Sequence, residues 1–408
     1  MKTAFFTICS RNYLAYALTL QQSLRIHEPD APFFVYLADE PLETADAPDA
    51  AIIPIGDLGL PDLLDMAFRY TVMEFNTAIK ADCFLDLLAK RGFDAAVYID
   101  PDIQVFAPLV EVHNALSGGA SAVVTPHLLG PLPAGAIPGE LDILKSGVFN
   151  LGFAAFARTD ESLAFISWWA SKLHTDCYSA PERGLFVDQR FVDFAPAYID
   201  RLSILRHPGY NVAYWNTARR RVSEEGDQFF ADGLPLVFFH FSGVVPGNSE
   251  VFSKHLGGAP VDVSAVVMSL VRQYLSELER NQHSRWSSVP YAYGRFRDGS
   301  PILPPMRRRP PETGGPEDWF AAPDLVYWTA PDPRVAQKRG RRITRLMMGI
   351  WDMRPDLQAA YPLLTEESRR KFHFWFLVHG SAEYEINGTG DANTVVSGLI
   401  RARAYLRR

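Results

Sequence analysis

Through the first half of the chain, short apolar runs alternate with stretches whose apolar residues recur at helical spacing. Residues 4–9, 33–39 and 51–55 read as strands, and 13–25 reads as an amphipathic helix between the first two. That alternation marks a layered α/β fold with a largely parallel sheet. A longer helical pattern over 76–90 puts Ile79, Cys83, Leu87 and Leu88 near one face, with Gly92 just past its end. It leads into a strand over 95–100. Further strands are expected at 121–126, 149–157, 202–205 and 236–241. A helix over 160–173, capped by Thr159 or Asp160, is expected to bury Leu163, Ile166, Ala170 and Leu173. The stretch 127–146 is rich in Pro and Gly and has the length of a lid or binding loop.

Beyond a helix over 263–280 the composition changes. Six prolines fall between 301 and 316, together with Arg307-Arg308-Arg309, and read as linker. The pattern gives three parts: an α/β domain over 1–283, a linker over 284–316 and a mainly helical domain over 317–408. A chain of 408 residues has the length for two such domains.

A net charge of −7 offers no global argument for nucleic acid, which calls for a basic face or stripe. Three scattered cysteines, Cys9, Cys83 and Cys177, make no disulfide framework, so a reducing cytoplasm is the expected compartment. The apolar run near Met1 is too short for a signal sequence, and no run approaches the ~18 residues of a membrane span. Any membrane contact is then peripheral, at the inner face. The candidate for it is 334–351, where Arg334, Lys338, Arg339, Arg341, Arg342 and Arg345 precede Leu346, Met347, Met348, Ile350 and Trp351. The same pattern also suits a solvated helix packing its apolar side on its own domain.

The stretch Val97-Tyr98-Ile99-Asp100-Pro101-Asp102 carries the chemistry. Two carboxylates at the carboxyl end of a buried strand lie where open α/β sheets bind ligands. Such a pair can hold a hard divalent cation that neutralises a diphosphate. Alone, the pair reads equally as a strand-end turn. A phosphatase with Asp100 as nucleophile and Asp102 as acid is a weaker reading, since the pair is not on the first strand and Gln104 follows it.

Further elements follow in order: Thr7 with Asn12-Tyr13, then Lys80 about twenty positions before Asp100, then Asp100 and Asp102. Next come Asn150-Leu151-Gly152, Asp188-Gln189 and His240-Phe241-Ser242-Gly243. Together they resemble the retaining glycosyltransferases of the GT-A fold, the family (family 8) that includes glycogenin and bacterial lipopolysaccharide galactosyltransferases. The resemblance implies a GT-A domain with a nucleotide-sugar donor, UDP-sugar favoured, and Mn²⁺ or Mg²⁺ held by Asp100, Asp102 and His240. It implies that Thr7, Asn12, Tyr13, Lys80, Gly152 and Gly243 serve the donor. Asn150 and Asp188 would meet the transferred sugar, with Gln189 under the anomeric carbon. The implied acceptor is a glycan or glycolipid of bacterial polysaccharide synthesis. A non-catalytic binding module on the same scaffold is the alternative.

The sequence departs from the family at Pro246, where a lysine is common; Lys254 or His255 is the expected replacement, by folding back. Tyr214 and Trp215 read equally as core residues or as an acceptor surface. The segments 354–358 and 372–380 resemble an accessory helical module of bacterial polysaccharide-type glycosyltransferases.

Overall fold

The computed structural model describes residues 1–42, 51–308, 318–336 and 342–384. The chain divides into two compact units, residues 1–61 with 72–291, and residues 62–71 with 292–408. The division falls at 291/292, past the expected 283, and the helix Leu63–Arg69 belongs to the second unit.

The first unit is built on a seven-stranded sheet. Its strands are β1 (Thr3–Cys9), β2 (Phe33–Leu37), β3 (Ala51–Pro54), β4 (Ala95–Ile99), β6 (Ala122–Pro126), β7 (Phe149–Ala157) and β8 (Leu202–Ile204). Their spatial order is β8-β6-β7-β4-β1-β2-β3. The sheet is parallel except at β7, which runs antiparallel to both β4 and β6. Strand β4 is apolar along its whole length and wholly buried, as a strand covered on both faces must be. After β1 the chain adds β2 and β3 on one side and then crosses to add β4 on the other. That reversal opens a crevice past the carboxyl ends of β1 and β4, the usual ligand position in such sheets. A second, three-stranded sheet joins β5 (Ile103–Val105) antiparallel to β10 (Phe238–His240), which pairs parallel with β9 (Val212–Ala213). The expected α/β class and parallel-rich sheet are both found.

Three local expectations are corrected. The pattern over 76–90 is not one helix but Val72–Ala78, Lys80–Leu85 and a wider π-type turn Asp86–Lys90, interrupted at Ile79, whose ψ of 0° leaves the helical range. The stretch 127–146 is not wholly loop, because Glu140–Ser146 is helical and Asp142 accepts a bond from the Gly139 N–H at its start. The helix Asp160–Asp176 is capped by Thr159, but Leu163 is only half-buried. Phe165 and Trp169 fill the core instead, since their larger rings claim the buried face. Asp188 precedes a short helix, Gln189–Val192, without its side chain capping it.

The second unit has its own apolar core around Met306, Trp328, Leu346, Met347, Ile350 and Phe372. The helix Arg345–Asp352 turns Leu346, Met347, Met348 and Ile350 into that core. Of the two expectations for 334–351, the burial matches the helix that packs its apolar side on its own domain, and Arg334 pairs with Asp332 and Asp352. Lys338, Arg339 and Arg341 lie outside the described residues, as do residues 309–316 of the expected linker and the end of the helical domain; the described part of that linker is not a free tract, since Pro304–Arg307 is helical and Ile302, Leu303 and Met306 are buried in the second unit's core. Among the described residues no helix is long and apolar enough to cross a membrane.

Candidate active site

Asp100 is the first residue after β4, and the turn that follows closes with the Ile103 N–H donating to the Asp100 carbonyl (3.1 Å). This turn points both Asp100 and Asp102 into the crevice and starts β5. Because β5 pairs with β10, His240 is set opposite Ile103, next to the turn. The Phe241 N–H donates to the Asp102 carbonyl at 2.8 Å and locks that register. Thus His240 Nε2 lies 3.0 Å from Asp102 Oδ1 and 3.7 Å from Asp100 Oδ2. One ligand atom from each of the three falls within 4.8 Å of the others, the one such grouping found among the described residues.

The electrostatics of this trio are those of a site built around a cation. Two like charges share a half-buried spot, with side-chain exposures of 26% and 21%. Burial raises the Asp100 pKa, against the pull of Lys80 and His240. Burial opposes ionisation of Asp102 too, but His240 carries it below its ordinary value. Burial likewise disfavours charge on His240, yet the two carboxylates outweigh it and raise its pKa. A mixed carboxylate and imidazole set, with His240 Nε2 turned to both carboxylates, suits a hard divalent cation.

Beside the trio lies a corner in which polar groups are bonded to one another. Gln189 Oε1 accepts from Asn150 Nδ2 (3.0 Å) and from the Leu151 N–H (2.9 Å), while Gln189 Nε2 donates to the Ser146 carbonyl (3.1 Å). Asn150 Oδ1 accepts from the Gly152 N–H, and Asn150 Nδ2 also lies 3.3 Å from His127 Nε2. Lys80 and Asp188, each 1% exposed, form an ion pair at 2.5 Å, and Lys80 donates to the Leu151 carbonyl at 2.8 Å. Burial pushes the Asp188 carboxyl up despite that lysine. The ammonium expected to face the donor phosphates is therefore turned inward, onto Asp188. Gly152 is required where the corners meet, because a Cβ there would stand 2.6 Å from His240 Cε1 and 2.8 Å from Asn150 Oδ1.

The remaining expected residues are less concentrated. Thr7 is wholly buried within β1. Asn12 and Tyr13 lie on the turn past β1, where Asn12 accepts from the Ser10 hydroxyl and the exposed Tyr13 ring stacks on Tyr16. Gly243 has φ +77° and a Cβ there would strike Ser253 and His255, so the 253–255 turn folds back against it, tied by the Lys254 N–H to the Gly243 carbonyl. The Lys254 side chain is exposed, and the His255 ring stacks on Tyr214.

No family model matches the chain. Two Bacillus subtilis proteins are similar in sequence. YfnF is 26% identical over 257 residues, 60% of this chain and 82% of that protein; YfnD is 24% identical over 305 residues, 72% and 93%. Each is described as an uncharacterized protein. Among solved structures, the galactosyltransferase LgtC in complex with donor and acceptor sugar analogs is matched over 70% of this chain and 97% of LgtC. The identity is 14% and the TM-score 0.38, a likeness that carries no functional weight.

Sequence reasoning missed two residues and left a third undecided. His127, at the end of β6, is buried beside Asn150, and burial pushes its pKa down to about 4. Trp215, buried, stands edge-on to both His127 and His240 at ring distances of 5.5 and 5.2 Å, so it is at once core and wall of the site. Tyr98 bonds to Asp100. For Tyr98 a signal existed: side chains two apart on a strand share a face, and Tyr98 precedes Asp100 by two.

Proposed function

We propose that this chain is a glycosyltransferase that moves a hexose from a nucleotide-diphosphate sugar, UDP-sugar favoured, to a glycan or glycolipid acceptor with retention. The observation that carries the reading is the convergence of Asp100, Asp102 and His240 on one spot at the sheet's topological switch point. Bound there, Mn²⁺ or Mg²⁺ would supply Lewis-acid neutralisation of the donor diphosphate. Tyr13, stacked on Tyr16, would offer its other face to the base, and Lys254, exposed on the turn that folds back on Gly243, would reach the leaving phosphates. Asn150, Asp188 and Gln189 form a prebonded wall for the sugar. A sugar hydroxyl that meets Asp188 or Gln189 there exchanges a protein bond for its own.

That prebonded state also favours a second reading, a module that binds nucleotide-sugar without transferring it. Calorimetric titration of UDP-, GDP- and dTDP-sugars with Mn²⁺, with EDTA and with Asp102→Ala, followed by product analysis with the donor that binds, separates the two. Metal-dependent binding with sugar transfer supports the enzyme, and metal-dependent binding without transfer to any acceptor or water supports the module. Binding indifferent to both metal and Asp102 sinks both.

A further inference from the structure

Strand β4 delivers Tyr98 and Asp100 to the same face, and the Tyr98 hydroxyl donates to Asp100 Oδ1 at 2.5 Å. The backbone of Asp100 is held as well, its N–H donating to the Gly152 carbonyl at 2.7 Å. The Tyr98 ring is fixed from both sides, against Phe6 at 5.2 Å and over Lys80 Nζ at 4.1 Å. Lys80 is itself immobilised by Asp188 and the Leu151 carbonyl. The phenol therefore cannot follow Asp100 if that carboxylate turns. It defines one orientation of it.

We infer that Tyr98 is a positioning residue of the ion site: its hydroxyl, bonded to Asp100 Oδ1, holds the carboxylate in the orientation that turns Oδ2, the oxygen 3.7 Å from His240, toward a divalent cation. This rests on the reading of the trio as an ion site. Its consequence is a preset approach: Asp100, Asp102 and His240 would hold the ion with the Asp100 carboxylate in one orientation. Freed of Tyr98, the Asp100 carboxylate can chelate through both oxygens or turn away. Outer partners of this kind typically shift metal affinity 10–100-fold.

The test is Tyr98→Phe in the full chain, which keeps the ring over Lys80 and removes only the hydroxyl. Mn²⁺ binding is read without nucleotide, from the electron paramagnetic resonance of free Mn²⁺, beside thermal melting. Phe6→Leu disturbs the packing of the same ring and spares the hydroxyl. The expected result is an Mn²⁺ dissociation constant about 10-fold or more above wild type in Tyr98→Phe and near wild type in Phe6→Leu, at temperatures where both are folded. The metal concentration for half-maximal activity should rise in step, with the donor KM at saturating metal unchanged. Equal Mn²⁺ affinity in Tyr98→Phe and wild type overturns the positioning role, as does an equal weakening in both variants. A wild-type chain that binds no Mn²⁺, or binds it as well after Asp102→Ala, overturns the ion site itself and this inference with it, an outcome distinct from the first two.

Discussion

Two corners of the site, joined at Gly152, contrast in how their polar groups are employed. Around Asp100, Asp102 and His240 the groups are partly open, like charges face each other, and His240 Nδ1 has no partner. Around Asn150, Gln189, Lys80 and Asp188 the side chains are buried and bonded mainly to one another and to the backbone. The first corner is held by the His240–Asp102 pair and keeps an open side on which a cation could sit. The second is more densely bonded, though Asp188 Oδ2 meets only the Lys80 ammonium and His127 Nδ1 has no hydrogen-bond partner, so what it contributes is rigidity and a fixed wall. Substitution in the second corner should therefore register as lost stability, and in the first as lost ligand binding.

The largest effect expected is at the buried pair. Lys80→Met removes the ammonium and leaves Asp188 buried without its counter-charge, so that the carboxyl must take up a proton or draw in water, a loss of about 3–5 kcal/mol in denaturant unfolding. The double variant Lys80→Met/Asp188→Asn should recover a large part of it. If Lys80→Met unfolds like the wild type and loses only donor affinity, Lys80 belongs to the open corner and the contrast fails. Asp102→Ala should behave in the opposite way. Because Asp102 is partly open, melting should fall less than in Lys80→Met, by the lost bond to His240, while metal-dependent transfer falls about 10²–10³-fold in steady-state assays.

How much of this was legible in the sequence depends on how far apart the interacting residues are. Strand β7 was readable to the residue, because eight of its nine residues, all but Asn150, are apolar or glycine, and the carboxylate pair stood visibly at a strand end. What the sequence hid was pairing across the chain. Periodicity does not show that the strand bearing His240 runs antiparallel to Ile103–Val105, nor that Lys80 prefers Asp188 to a phosphate. The break at Ile79 was hidden for another reason, since an apolar residue at helical spacing gives no sign of a ψ of 0°. The helix Glu140–Ser146 did announce itself through Gly139 and Asp142, but the prolines before it dominated the reading.

The closed corner should also make the fold acid-sensitive through His127. Burial holds its pKa near 4, against an ordinary 6.5, so between these values the unfolded chain carries a proton that the folded one refuses. Stability from this group is fully present above pH 6.5 and is lost as the pH falls toward 4. The gap corresponds to about 3 kcal/mol. Denaturant midpoints measured from pH 7 to pH 4 should fall in wild type and fall less in His127→Gln, whose amide can still accept from Asn150. Identical slopes would remove His127 as the cause.

The smallest effect is expected where the corners touch, and it decides which of them is stiffer. The Cβ of Gly152→Ala would meet His240 Cε1 at 2.6 Å, and Asn150 Oδ1 and His240 Nδ1 at 2.8 Å each, so something must move, at a cost of about 1–3 kcal/mol. Asn150 is pinned by Gln189, His127 and the Gly152 N–H, whereas His240 is bonded through Nε2 to Asp102 and its Nδ1 is unpartnered. The imidazole should therefore yield. Mn²⁺ affinity is expected to fall in Gly152→Ala while the Asn150–Gln189 bond survives, read by calorimetry and by protection of the Leu151 amide from hydrogen exchange. Exposure of that amide with Mn²⁺ affinity intact would mean that the bonded corner gives way first and that the open one is the more rigid.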